Sequence, residues 1–226
     1  MVNSCGLILP HLAMPYLYLH GFASGPRSTK AQVLKRQFQQ LNLDLVVLDL
    51  NQSDFLGLTL SRQIRQVQEF MANSSEPWGI IGSSLGGLTA AWLAAEENRA
   101  KSIRGLVLLA PAFQFLDQWL PRLGPAQLRE WCENKTLLIY HHGEQRFLPL
   151  AFDFIRDAES YDDGELQFLV PTLILHGRQD EVIDIQVSRT MVSHHAQVEL
   201  LELDSNHALT DVQDEIWEAI RRFFRL

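Results

Sequence analysis

Cysteine is nearly absent from this 226-residue chain: Cys5 and Cys132 are the only two. A disulfide framework and a cysteine-held zinc site are thereby excluded, and a reducing compartment, the cytoplasm, is the economical expectation. Also missing is any apolar run near the ~18–20 residues that cross a bilayer, so no stable membrane insertion is expected. The opening stretch MVNSCGLILPHLAM has no basic start and only a short apolar core, which makes it a poor signal peptide. Positive charge is in short supply, with 19 Lys and Arg against 27 Asp and Glu, a net of −8. That balance argues against nucleic acid or an anionic membrane as the main partner. It also disfavours a very anionic substrate unless positive charge gathers locally. Repeats and low-complexity segments are lacking too.

What is present is an alternation of strand and helix patterns. Apolar runs at Tyr16–His20, Leu43–Leu50, 78–82, Ile103–Ala110, Pro171–His176 and Val198–Leu203 read as about six strands. Between them, apolar residues recur at helical spacing over 28–41, 59–71, the stretch after 84, 184–194 and 210–224. Thr210 and Gln213 have the spacing of a capping box for the last helix. Strands that are apolar throughout and alternate with helices imply an α/β fold, a mostly parallel sheet covered on both faces. Ligands in such sheets bind at the carboxyl ends of the strands. Residues 111–170 interrupt the alternation and are rich in aromatics; about 60 residues is too long for a plain loop, so an inserted lid over the strand ends is expected. Residues 14–226 form one domain in this scheme, and 1–13 an extension ahead of the first strand.

The stretch GIIGSSLGGLTAAWLAAEE, residues 79–97, carries the chemistry. Gly82-Ser83-Ser84-Leu85-Gly86 reads G-x-S-x-G centred on Ser84; centring on Ser83 would need glycine at Ile81 and Leu85. A strand before and a helix after match the nucleophile elbow, a sharp turn that exposes one serine hydroxyl. The bare motif arises by chance in roughly one chain in ten to twenty of this length, so its context is what gives it weight. No Gly-Lys-Ser/Thr completes a phosphate loop.

A serine hydroxyl needs a base, and the base needs an orienting group. The order serine, acid, histidine fits this architecture. His207, in LDSNHALTD after the last strand, is the candidate base; His194 and His195 close a helix, and His176 ends a strand. Asp180, in LILHGRQDEV, is the candidate acid, with Asp204 the other contender. The oxyanion formed on attack needs backbone donors: Leu85, following the serine, and Phe22 (Ala23 less so) in the loop after the first strand. His141 and His142 are adjacent on an extended stretch and so point to opposite faces, which makes them poor joint metal ligands. Arg27, Ser28 and Lys30 could hold an anionic leaving group; a solvated helix start capped by Ser28 is the simpler expectation.

The ordered set YLHGF, GSSLGG, HGRQDEV and SNH resembles the α/β-hydrolase superfamily, and YLHGFASGPRSTKAQ with GSSLGG is similar to the small bacterial YqiA-like esterases. The resemblance implies hydrolysis of a small-molecule carboxylic ester or acyl thioester through an acyl-enzyme, with no metal or organic cofactor. Mapped here, it implies Ser84, Asp180 and His207 as the catalytic residues and Phe22 and Leu85 as oxyanion donors. Two other outcomes share the machinery: a peptidase or amidase, and a hydrolase fold that binds a ligand with little or no turnover.

Deleting residues 1–13 is expected to leave folding and activity intact. A large fall in melting temperature of the shortened chain would refute the extension.

Overall fold

The computed structural model describes residues 14–226; the expected extension 1–13 lies outside them. The chain runs through β1 (Tyr16–Leu19), α1 (Thr29–Gln40), β2 (Leu45–Leu48), α2 (Leu60–Met71), β3 (Trp78–Ser83), α3 (Leu85–Ala94), a single turn α4 (Glu97–Ala100) and β4 (Ile103–Leu109). Next come α5 (Phe115–Asn134), β5 (Thr136–His141), β6 (Arg146–Ala151) and α6 (Asp153–Ala158). The chain closes with β7 (Thr172–Gly177), α7 (Ile185–His194), β8 (Val198–Leu203) and α8 (Gln213–Phe224). Six strands form one sheet in the order β2-β1-β3-β4-β7-β8, and every neighbouring pair in it is parallel.

Alternate strand residues serve two cores, as the two-residue strand period requires. Leu17, Leu19, Ile80, Leu106, Leu108 and Ile174 face one side, packed with α2, α3 and α7. Tyr16, Tyr18, Ile81, Val107, Leu109 and Leu175 face the other, against α1 and α8. The helices present matching stripes: Leu60, Ile64, Val67 and Met71 on α2, and Ile216, Ile220 and Phe224 on α8. The chain passes from β1 out to β2 and then back to β3 on the other flank of β1. Loops leaving β1 and β3 therefore diverge to opposite faces and open a crevice between them, the position where parallel sheets hold ligands.

One expected boundary is wrong. The last helix begins at Gln213 with Val212 at its N-cap and no side-chain cap, so Thr210 closes no capping box. Leu209 stands in the left-handed region at φ +52°, and Asp211 accepts the Ser205 hydroxyl instead of serving the helix. The chain is thus still turning at 209–212, and the dipole-matched charges, Asp214 and Glu215 early and Arg221 and Arg222 late, do the rest.

Residues 111–170 add no strand to the sheet. α5 bends at Gly124 (φ +75°) between Pro121 and Pro125, and β5 and β6 pair as a separate antiparallel hairpin. These pieces bind the loops at the carboxyl ends of the strands. His142 N–H donates to the Ala23 carbonyl at 2.8 Å. Arg122 reaches the carbonyls of Glu181 and Val182. Asp163 accepts from Trp92 Nε1 at 2.9 Å and from Gln114 N–H at 2.6 Å, tying the start of α5 to α3. Trp131 is fully buried, donates to the Leu150 carbonyl at 3.0 Å and packs edge-on against Trp119 and Phe152. No helix among the described residues is long and apolar enough to cross a membrane.

Trp131→Ala is expected to cost about 3–5 kcal/mol in urea unfolding. A loss below about 1 kcal/mol would mean that α5 and the hairpin do not pack as one unit.

Candidate active site

Ser84 sits at the tip of β3, at φ +53° and ψ −118°. A non-glycine residue held there is strained, at a cost of order 1–3 kcal/mol. The surroundings fix it. Its N–H donates to the Leu109 carbonyl at 2.9 Å, and its carbonyl accepts from Gly87, Leu88 and Ala112. The motif glycines are spatial necessities: a Cβ on Gly82 would lie 2.5 Å from the Gly86 carbonyl oxygen, and one on Gly86 would overlap the Leu19 carbonyl. β1, β3 and α3 meet too closely there for side chains. Ser84 is left half-exposed while Ser83 is buried, which separates the two hydroxyls physically.

His207 descends from the loop after β8. Its Nε2 stands 3.1 Å from Ser84 Oγ and its Nδ1 2.8 Å from Asp180 Oδ2. The Asp180 side chain is fully buried in the turn after β7. Its Oδ1 accepts the N–H groups of Val182 and Ile183, each at 2.8 Å, while its Oδ2 also meets His176 Nε2 at 3.0 Å. His176 in turn places Nδ1 2.7 Å from the Ser188 hydroxyl. Burial pushes the Asp180 carboxyl up, but the hydrogen bonds from His176 and His207 and the charge of His207 outweigh it and hold the group well below the usual carboxylate range. With Nδ1–H on the carboxylate, a neutral His207 turns a bare Nε2 lone pair toward Ser84 Oγ.

Asp204, the other contender, is exposed and takes Gln179 Nε2 at 2.5 Å. The neighbour Glu181 accepts the His207 N–H at 3.3 Å. His194 is exposed at the end of α7, and His195 packs against Phe168.

Phe22 and Leu85 flank the serine. Among the described residues neither N–H donates to a protein acceptor. The Phe22 ring is clamped in an aromatic cluster, 5.3 Å from Phe154 and 5.4 Å from Trp119 between centroids. Behind it, buried His20 sets Nδ1 2.9 Å from the Gly21 carbonyl and accepts Leu50 N–H at Nε2. His141 is buried and His142 exposed, so the adjacent histidines do diverge. No group of three or more His, Cys, Asp or Glu side chains is placed to hold a metal among the described residues.

An open cleft of about 610 Å³ lies over the serine, lined by Tyr18, Phe22, Lys30, His142, Glu181 and His207 among others. Beside it, under the 111–170 segment, is a second space of about 420 Å³ walled by Leu60, Leu85, Leu88, Phe115, Leu116 and Phe154. Burial pushes the Tyr18 phenol up to about 12 against the hydroxyls of Ser83 and Ser28 beside it. Sequence reasoning set His176 aside as a strand end; the i, i+4 spacing to Asp180 in HGRQD was the available signal.

The profile of a family described as "Uncharacterised protein family (UPF0227)" matches residues 15–224. The chain belongs to this family. It is also 28% identical over 151 residues to a protein named Esterase mlcF from Penicillium citrinum, covering 66% of this chain and 48% of that one. The chain thus spans about half the length of that curated relative. Among solved structures it resembles a putative hydrolase from Agrobacterium vitis S4, with a TM-score of 0.78, 23% identity, and 93% and 88% of the two chains covered. Est1E from Butyrivibrio proteoclasticus superposes with a TM-score of 0.74 at 20% identity, over 94% and 87%. The UPF0227 chain therefore has the α/β-hydrolase fold.

The low Asp180 pKa carries a sign. Its ionised form stabilises the fold above the unfolded value, near 3.9, and that contribution fades as pH falls through the lower folded value. Asp180→Asn is expected to lose less stability than the parent between pH 5 and the acid transition. Parallel acid limbs in urea unfolding would contradict the assignment.

Proposed function

We propose that the protein is a serine hydrolase acting on a carboxylic ester or acyl thioester of small-molecule size. The observation that carries the proposal is the continuous run from Ser84 Oγ through His207 to Asp180, at 3.1 and 2.8 Å, at the rim of an open cleft. Its resemblance to a protein named an esterase adds support. Ser84 Oγ attacks the acyl carbon while its proton passes to His207 Nε2, and Asp180 steadies the imidazolium. The free N–H groups of Leu85 and Phe22 receive the oxyanion. His207 then gives the proton to the leaving alkoxide or thiolate. Water, deprotonated by the same imidazole, cleaves the acyl-enzyme and restores the serine.

The 111–170 segment acts as the lid of this site, and the apolar space beneath it suits an acyl chain. A cytoplasmic setting agrees with the free thiol at Cys132. A binding protein without turnover is a poorer account. It leaves unexplained a strained serine within 3.1 Å of an imidazole that a buried carboxylate holds.

Ser84→Ala is expected to lower turnover of 4-nitrophenyl butyrate by about 10⁴-fold or more while melting normally. Ser83→Ala should retain most of the activity, and a fluorophosphonate probe should label the parent but not Ser84→Ala. The reverse pattern between the two serines would place the nucleophile elsewhere.

A further inference from the structure

A lysine stands isolated in the cleft beside the serine. Lys30 lies in the first turn of α1 and is only partly exposed. With Val33, Leu34, Leu109 and Ile216 it borders a small, mostly apolar recess. Among the described residues no carboxylate comes within ion-pair distance of it. A partly buried ammonium without a counter-ion is costly, and proteins ordinarily pair such a charge. Burial pushes it down to about 8, with the Asp180 charge acting the other way.

One neighbour shares its lack of a partner. Ser28 occupies the N-cap position, but its side chain makes no capping bond; its Oγ is buried and forms no sound hydrogen bond to the protein. The expected cap is therefore not made, and the hydroxyl is left beside that of Tyr18. Both residues line the same cleft as Lys30 and Ser84. No acidic side chain occupies the first turn of α1, so the positive end of the helix is uncompensated as well. Arg27 contributes little, since it is 84% exposed and leans toward Glu144 at 4.0 Å.

We infer that Lys30, with the hydroxyls of Tyr18 and Ser28, forms a subsite for a carboxylate carried by the substrate. The class of substrate is an ester bearing one negative charge near the scissile bond. A single ammonium without a guanidinium fork, facing a cleft that also holds Glu181, matches one negative charge better than two. This local cation also reconciles an anionic substrate with a chain of net charge −8. The inference rests on the hydrolase function proposed above.

The test compares charged and neutral ester pairs: 4-nitrophenyl hydrogen succinate with its methyl ester, and 4-acetoxybenzoate with its methyl ester. The first pair places the charge on the acyl side, the second on the leaving side. The parent is expected to prefer the charged member of one pair by kcat/KM. In Lys30→Gln that preference should fall about 10–100-fold, mostly through KM. Lys30→Arg should restore part of it. Arg36→Gln, on the exposed side of the same helix, should leave the preference unchanged. If Lys30→Gln does not fold, sodium chloride added to the parent should erode the charged-ester preference selectively. Hydrolysis of the neutral esters with no charged preference in the parent, or a preference that survives Lys30→Gln, overturns the subsite. Failure of the parent to hydrolyse any ester or to react with a fluorophosphonate overturns the hydrolase reading instead.

Discussion

Everything at the site depends on the crowding of three backbones around Gly82 and Gly86. Because β1, β3 and α3 converge without side chains between them, Ser84 is forced through a positive φ and its hydroxyl is thrust clear of the sheet. The strain is held by four hydrogen bonds to its own peptide groups. Holding the hydroxyl this way removes the need to order it when a ligand arrives, which under the proposed mechanism is where much of the catalytic advantage lies.

The charge-handling side of the site is built differently. Asp180 is buried without a cationic side chain of permanent charge; two backbone N–H groups and two imidazoles hold it ionised. His176 serves as a second bracket on the carboxylate, itself braced by Ser188. The outcome is a carboxylate that stays charged yet is committed in direction, with one oxygen turned toward His207. Orientation of this kind determines which nitrogen of His207 is free to meet the serine.

Much of this was legible in the sequence, and for a physical reason. Residues that end parallel strands share one rim, so a motif at 82–86, an aspartate at 180 and a histidine at 207 meet whatever lies between them. The strand and helix periods likewise revealed the alternating architecture. Other features depended on neighbours far away in the chain. The start of α8 shifted because Asp211 answers Ser205 rather than its own helix. Ser28 has the right identity for a cap, yet its hydroxyl points to a tyrosine on β1. The bracket from His176 needs the turn geometry of 178–183. The isolation of Lys30 could not be read from composition, since it is a statement about which carboxylates are elsewhere.

The hairpin of β5 and β6 has a further consequence through its bond from His142 to Ala23. Phe22 sits next to that carbonyl, and its ring is wedged among Phe55, Phe115, Trp119 and Phe154. The hairpin and the loop after β1 are thus joined to each other. Under the proposed mechanism, a swing of the hairpin outward would pull on the Phe22 amide and so on the oxyanion site. Under the proposed hydrolase reading, ligand entry is left to the open cleft that Lys30 and His207 line.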